Sequence, residues 1–368
     1  NDINCIFYFW SNTFQISKKM ITKTQSLDSF INKSLYEKNK GYYQKKIEFG
    51  RKGDFITSPG ISKLFSEMIA IWIVSFWESL NRPDKINLVE LGAGNGELLE
   101  VLIKTLNKLE AVKDKFKFCI FEKSESLKKL QKKKFFKNVK WINNLSELKN
   151  FPTIFVANEF FDALPIKQFI KINNEWYENF VLLNKSGKFF LKKKKVTKKK
   201  MEKIFNQGID ENQNFIEFSP IMVKYLKSIC KKIKSSTGGI LLIDYGTSNK
   251  KMYDSLQGIK NHKKVNIFDD YQNIDITHHI NFNFIKQIVN LNGLKVGGIT
   301  NQGSFLKNMG IDLRAEMISK KMSFLKKTDL YTRIRRLTHK DEMGELFKVM
   351  FVTTKDNNFK TGFNDIKI

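Results

Sequence analysis

Apolar and polar positions change their period several times along this chain. Over residues 61–80 apolar side chains crowd a helical repeat, and Arg82-Pro83 closes it, so a largely buried helix is expected. Short apolar runs then alternate with amphipathic stretches. Ile86–Leu91 predicts a buried strand, and Leu98, Leu99, Leu102, Ile103, Leu106 and Leu109 then line one helical face. Residues 116–121, 139–142, 153–157, 239–243 and 346–353 predict further strands, with a polar helix over 127–134. Strands alternating with helices predict a parallel sheet with crossover helices. Upstream, residues 26–48 read as a polar helix and a loop around Gly41-Tyr42-Tyr43, and residues 53–60 as a polar turn. Over residues 166–194 the period drops to two, around turns at Asn173-Asn174 and Lys185-Ser186-Gly187, which predicts β-hairpins. Residues 192–200 are nearly all lysine and read as a solvated loop, with an anion-binding patch as the alternative.

Composition narrows the class. The 368 residues are 41% apolar, enough for one core domain with insertions. The net charge of +28 suits a polyanion at first sight. Yet only six of the 65 basic residues are arginine, the side chain favoured for bidentate phosphate and guanine contacts. Lys, Asn, Ile and Phe are abundant together, as in a chain drawn from an AT-rich genome, so nucleic acid is not the expected partner. Three scattered cysteines, Cys5, Cys119 and Cys230, indicate neither a disulfide framework nor a zinc site. No HExxH-type spacing occurs, and adjacent His278 and His279 point apart, so no metal is expected. The longest apolar run, 68–77, is too short for a bilayer, and residues 5–10 lack the features of a signal peptide. The expected location is cytoplasmic, or the mitochondrial matrix for a eukaryotic source. The chain begins with Asn, and Met20 is a candidate start, which leaves residues 1–20 as a candidate upstream extension.

Candidate chemistry gathers at the ends of the expected strands, where an open parallel sheet binds ligands. After Glu90 and Leu91 come Gly92, Ala93, Gly94, Asn95 and Gly96. Glycines there permit a sharp turn and close approach of a ligand to a helix N-terminus. The dinucleotide fingerprint needs its third glycine one place later, where this chain has Glu97. The tighter Gly-x-Gly-x-Gly form after an acidic residue points instead to S-adenosylmethionine. Glu122, 28 residues past Gly94, closes the second strand and suits both ribose hydroxyls. Asn143 lies at the third strand end, and Trp141 suits either adenine or the core. After the fourth strand comes Asn158-Glu159-Phe160-Phe161-Asp162. Amino-methylating enzymes commonly carry Asn/Asp-Pro-Pro-aromatic here, and those prolines are absent. Glu159 and Asp162 suit a basic acceptor, holding a guanidinium bidentately and taking its proton. They equally suit a helix cap. Asp54, Thr57 and Ser58 in the 53–60 turn, and Asp244 after the fifth strand, are candidate substrate or lid residues.

With these segments in order, the chain resembles the MidA-like methyltransferases, which include the mitochondrial complex I assembly-factor protein arginine methyltransferase. The resemblance rests on Gly41-Tyr42-Tyr43, Gly53-Asp54-Phe55 with Thr57-Ser58-Pro59, the glycine loop, and Asn158-Glu159-Phe160-Phe161-Asp162-Ala163-Leu164-Pro165. Leu242-Ile243-Asp244-Tyr245-Gly246, Asp254-Ser255-Leu256-Gln257-Gly258, Asp275-Ile276-Thr277, Gln302-Gly303 and Met343-Gly344-Glu345-Leu346-Phe347-Lys348 continue it. The family often has His where this chain has Gly60 or Lys167. The resemblance implies an α/β class I, Rossmann-like methyltransferase sheet that uses S-adenosyl-L-methionine. It further implies symmetric dimethylation of an arginine in the large quinone-side subunit of complex I. The corresponding layout is an N-terminal helical region (21–84), a methyltransferase core (85–165 and 236–355) and an inserted β-hairpin/helical subdomain (166–235). A non-catalytic respiratory-complex assembly factor and an RNA or small-amine methyltransferase are the alternatives.

Overall fold

The computed structural model describes residues 21–45, 53–54, 56–135, 138–205 and 208–363; the candidate extension, residues 1–20, lies outside them. The described residues open with strand β1 (Ile21–Ser26) and helix α1 (Leu27–Tyr36), then the single turn α2 (Ser58–Ile61) and the long α3 (Lys63–Ser79). Next come β2 (Ile86–Leu91), α4 (Glu97–Leu106), β3 (Phe116–Phe121), α5 (Glu125–Phe135), β4 (Lys140–Ile142) and β5 (Thr153–Asn158). The middle of the chain supplies β6 (Lys167–Ile172), β7 (Glu175–Asn184), β8 (Phe189–Val196), α6 (Lys198–Phe205), β9 (Phe215–Phe218) and α7 (Pro220–Ser236). After β10 (Gly238–Thr247) come the short β11 (Gln257–Lys260), β12 (Lys263–Val265), β13 (Asp275–Thr277) and β14 (Ile280–Asn281). The chain ends in α8 (Phe282–Leu291), β15 (Lys295–Asn301), α9 (Gln302–Asn308), α10 (Ile311–Ser319), α11 (Phe324–Thr338) and β16 (Phe347–Thr353).

The main sheet runs β15-β16-β10-β5-β2-β3-β4. Its five strands from β10 to β4 are parallel, and β16 lies antiparallel between β10 and β15. This is the class I methyltransferase arrangement. All six residues of β2 and of β5 are buried, because helices cover both faces. One face packs Ile154, Leu241 and Phe351 against Trp72 and Phe76 of α3 and against α9–α11. The other packs Val89, Phe155 and Leu242 against α7 and α8. From β2 the chain steps one way to β3 and β4, then crosses to β5 on the other side. A crevice opens where the order reverses, between the ends of β2 and β5.

Three stretches differ from expectation. Residues 21–26, grouped with the helical N-terminus, form β1 and pair antiparallel with β7 of the inserted segment, Ser26 opposite Phe180. The polar alternation Ile21-Thr22-Lys23 carries too few apolar residues to announce a strand. Residues 192–200, expected as a loop, are instead the end of β8 and, from Lys198, the start of α6; Lys192 lies opposite Phe180 and Lys195 opposite Tyr177. An edge strand bonds one neighbour only, and lysines leave its other side in water. Helix α7, grouped with the insert, buries Leu226, Ile229 and Ile233 against the main sheet as the crossover between β5 and β10. The two hairpin turns stand where expected; Asn173 and Asn174 are both left-handed, at φ 48° and 62°.

Candidate active site

A cleft of about 490 Å³ lies over the switch point. Its floor is the ends of β2, β3 and β5. Its walls are Tyr36 and Tyr43 from the N-terminal region, Tyr225 from α7, and Gln257, Asp275, Thr277 and His279 from the β11–β14 segment.

On the β2–β3 side the glycine loop forms one rim. Gly92, Gly94 and Gly96 all have positive φ, at 67°, 53° and 78°. A Cβ on Gly92 would lie 2.6 Å from the Phe160 ring, so a side chain there forces that ring to move as well as straining the positive φ. Gly92, Ala93 and Gly94 line the cleft; Gly96 does not, and instead starts α4 with its Cβ direction towards Phe135. Glu90 is buried on the cleft wall, and its Oε2 has no hydrogen-bond partner. Burial pushes its carboxyl up to about 8, against a stabilising Leu99 N–H. An orphaned acid beside a helix N-terminus suits a ligand carrying both a cationic and an anionic group. Glu122 Oε1 accepts from the N–H groups of Lys123 (2.8 Å) and Ser124 (2.9 Å). Gln131 Nε2 donates to Gly94 O at 2.8 Å and lies 3.3 Å from Glu122 Oε2, while its Oε1 accepts from Trp141 Nε1 at 2.9 Å. One amide thus clamps the glycine loop to the Glu122 carboxylate. Trp141, half-buried, is used as that amide's donor. Asn143 is outside the cleft lining: its Oδ1 accepts from Lys128 Nζ at 2.9 Å and its N–H donates to Glu147.

On the β5–β10 side four carboxylates gather: half-buried Glu159 and the buried Asp162, Asp244 and Asp275. Glu159 ends β5 in a left-handed conformation, φ 50°, held by its N–H donating to Ile243 O at 2.9 Å. Its Oε1 accepts from Ser58 N–H and from Asn158 Nδ2, each at 3.1 Å. Burial, then the neighbouring Asp162 charge, raises Glu159 to about 8. Burial raises Asp162 to about 6 against the opposing Tyr245 hydroxyl, and its Oδ1 lacks a partner, as does Asn158 Oδ1. Burial likewise lifts Asp275 to about 7, although Tyr43 donates to its Oδ1 at 2.8 Å. Among the described residues no lysine or arginine pairs with any of the four. No helix follows β5, so the cap reading of Glu159 and Asp162 falls; residues 159–165 form turns. Asp244 holds those turns. It is fully buried outside the cleft lining, with Oδ2 accepting from the N–H groups of Phe161 (3.2 Å) and Asp162 (3.3 Å).

The 53–60 turn divides. Thr57 lines the cleft. Ser58 is buried beneath it, its N–H on Glu159 and its Oγ donating to Gln302 Oε1 at 3.2 Å. Asp54 lies outside the lining and bridges the Tyr42 hydroxyl (2.7 Å) and the Asn261 N–H (2.7 Å). Sequence reasoning missed Gln131, Tyr36, Tyr43, Tyr225, Tyr245 and His279. Gly41-Tyr42-Tyr43 and Asp244-Tyr245 were visible as motifs, but single aromatics and glutamines carry no spacing signal. The histidine pair splits: His278 is buried and pushed down to about 4 by burial, while His279 faces the cleft with Nδ1 2.8 Å from the Tyr253 hydroxyl.

Known proteins carry the same chain plan. The family model described as "Putative S-adenosyl-L-methionine-dependent methyltransferase" matches residues 68–300. The mitochondrial protein arginine methyltransferase NDUFAF7 of Xenopus laevis is 30% identical over 356 residues, 89% of this chain and 80% of that protein. Its human counterpart is 27% identical over 317 residues, 78% of this chain and 70% of that one. Both are named mitochondrial, which does not support the cytoplasmic expectation. A Burkholderia thailandensis protein solved with S-adenosyl-homocysteine shares the fold, with a TM-score of 0.75 at 23% identity over 90% of this chain and 88% of that one. The cleft fits the corresponding methyl donor: a left-handed glycine loop at a helix start, an orphaned Glu90 oxygen and a carboxylate at the end of β3. The chain belongs to the S-adenosyl-L-methionine-dependent methyltransferase family, and that sulfonium compound is its methyl donor.

Proposed function

We propose that this protein methylates an arginine side chain of another protein. The observation that carries the reading is the acidic pocket: Glu159, Asp162 and Asp275 line one cleft wall, and none of them forms an ion pair with a lysine or arginine among the described residues. Buried charges without partners are costly, and a planar guanidinium relieves several at once. The mitochondrial relatives named as protein arginine methyltransferases support the same acceptor. They also support a mitochondrial site of action. The family resemblance points to an arginine in the quinone-side subunit of complex I as the target.

Each candidate residue then has a role. Gly92, Ala93 and Gly94 let the donor approach the backbone, and Glu90 faces its cationic end. Glu122 accepts the ribose hydroxyls, with Gln131 fixing both it and the loop. The donor supplies a methyl group already activated on sulfur. Glu159 and Asp162 orient the guanidinium and draw off the one proton that methylation of a guanidinium releases. A bound cation favours the ionised acids, so the raised Glu159 ionises as the acceptor enters. Ser58 and Asn158 keep Oε1 of Glu159 fixed, which leaves Oε2 for the acceptor. Thr57 sits at the mouth; Asp54 and Asp244 support the walls. The deciding experiment is mass spectrometry of purified mitochondrial proteins incubated with the enzyme and labelled donor, beside matched arginine and lysine peptides. Label on arginine is the expected result. Label on lysine, RNA or small amines alone overturns the reading.

A further inference from the structure

The most exposed large apolar side chains among the described residues sit together at the tip joining α10 to α11. Phe324 is 82% exposed and Leu325 79%. On α10, Leu313 and Met317 are also exposed, four residues apart on one face. Lys320 and Lys321 precede the apolar pair, and Lys326 and Lys327 follow it. Over residues 313–327 the only carboxylate is Glu316, while the fifth cation, Arg314, is paired with Glu67 at 2.8 Å. Helix α11 is anchored by Leu330, Ile334 and Leu337, so its first turn projects beyond the core. Nothing in the fold uses Phe324 or Leu325. Two adjacent apolar side chains framed by lysines match the two layers of a charged membrane surface. The rings and methyls suit the acyl boundary, and the ammonium groups suit the lipid phosphates.

We infer that this tip docks the enzyme on an anionic lipid bilayer. Phe324 and Leu325 enter the interface and the four lysines hold the headgroups. No helix among the described residues is long and apolar enough to cross a membrane, so the contact is peripheral. It leaves the active site open. Helix α11 has 15 residues and is roughly 22 Å long. At its far end Leu337 O accepts from Gln302 Nε2 at 3.0 Å, and Gln302 in turn holds Ser58 beneath Glu159. The tip thus stands about one helix length from the acidic pocket. Polyanions that offer charge but no apolar layer would leave Phe324 and Leu325 in water.

The test is cosedimentation of the full chain with vesicles of phosphatidylcholine alone or mixed with phosphatidylglycerol. Pelleting is expected with the anionic vesicles only, and salt at about 0.5 M should release the protein. F324S/L325S should weaken partition roughly tenfold or more. Each of K320Q, K321Q, K326Q and K327Q should weaken it about fivefold. The lysines of the β8 edge are the internal control: K192Q/K193Q/K194Q/K195Q should change partition by less than about threefold. All variants should keep donor affinity by calorimetry, since none touches the cleft. Three outcomes overturn the inference: no binding to anionic vesicles, binding that survives F324S/L325S, or binding abolished by the β8 control. Vesicle-free dimerisation that F324S/L325S abolishes would also overturn it and assign the tip to a second copy of this chain.

Discussion

Replacing Glu159 by glutamine separates charge from shape at the acidic pocket. The amide oxygen can keep both bonds now made by Oε1, from Ser58 N–H and Asn158 Nδ2 at 3.1 Å, so the β5 turn should hold. Two things are lost. The first is a charge-assisted bond to the guanidinium, worth about 1.5–3 kcal/mol, or roughly 10–150-fold in acceptor affinity. The second is a proton acceptor, worth about 10²–10⁴ in rate. If both act in the transition state, kcat/KM for the acceptor should fall about 10³–10⁶-fold. Donor affinity should stay within about threefold, because Glu159 lies across the cleft from Glu122. The assay is single-turnover methylation of an arginine peptide, with donor binding followed by calorimetry. The pH profile adds a signature. Free-enzyme groups near 6 (Asp162) and 8 (Glu159) must lose protons to grip a cation, so kcat/KM should rise from pH 6 to 9. Asp162 is the charge that helps raise Glu159, so Asp162→Asn should move the upper limb to lower pH in the residual activity. Methylation by Glu159→Gln within about tenfold of wild type would refute the clamp.

Other outcomes follow from the same geometry. Gln131→Leu should weaken donor binding by about 1–3 kcal/mol with the fold retained, because two bonds from Nε2 are removed; calorimetry and thermal melting together check it. Gly92→Ala should abolish donor binding or require Phe160 to move, since the new Cβ would meet that ring at 2.6 Å; a folded variant with unchanged affinity would exclude the loop. Thermal stability should fall as pH rises from about 4 to about 8. Glu90, Glu159, Asp162, Asp275 and Glu217 titrate at about 6 to 8, above their unfolded values near 4. The native state therefore binds more protons in that window, and stability is lost as pH rises through it. His278 acts oppositely: held down to about 4, it contributes stability above its unfolded pKa near 6.5 that is lost as pH falls towards 4. Five carboxyls outweigh one histidine between pH 4 and 6.5, so melting curves across pH 4–9 should show a net decline with rising pH. Glutamine at Lys192, Lys193, Lys194 and Lys195 should leave methylation intact; the Lys195–Glu175 pair there is exposed and adds little.

The sequence alone determined six strands of the main sheet, β2 to β5, β10 and β16, and the glycine loop after β2, but not the edge strand β15. Runs such as 86–91 and 153–157 are mainly apolar on both faces because parallel strands are buried on both faces, and that signal is local. Three glycines between a strand and a helix are equally local, since glycine takes the positive φ each shows without steric cost. Tertiary structure decided what depends on partners distant in the chain. β1 is a strand only because β7 offers it an edge, and the lysines of β8 are tolerated because that edge faces water. Gln131 reads as one polar residue in a polar helix until folding sets it between Gly94 and Glu122. Asp244 and Asp162 look alike as acids after strands. Yet Asp244 meets three backbone N–H groups, two of them in the turn it holds, while Asp162 keeps an unpartnered oxygen. The difference is in their partners, which lie some eighty residues away and are brought together only by packing β5 beside β10.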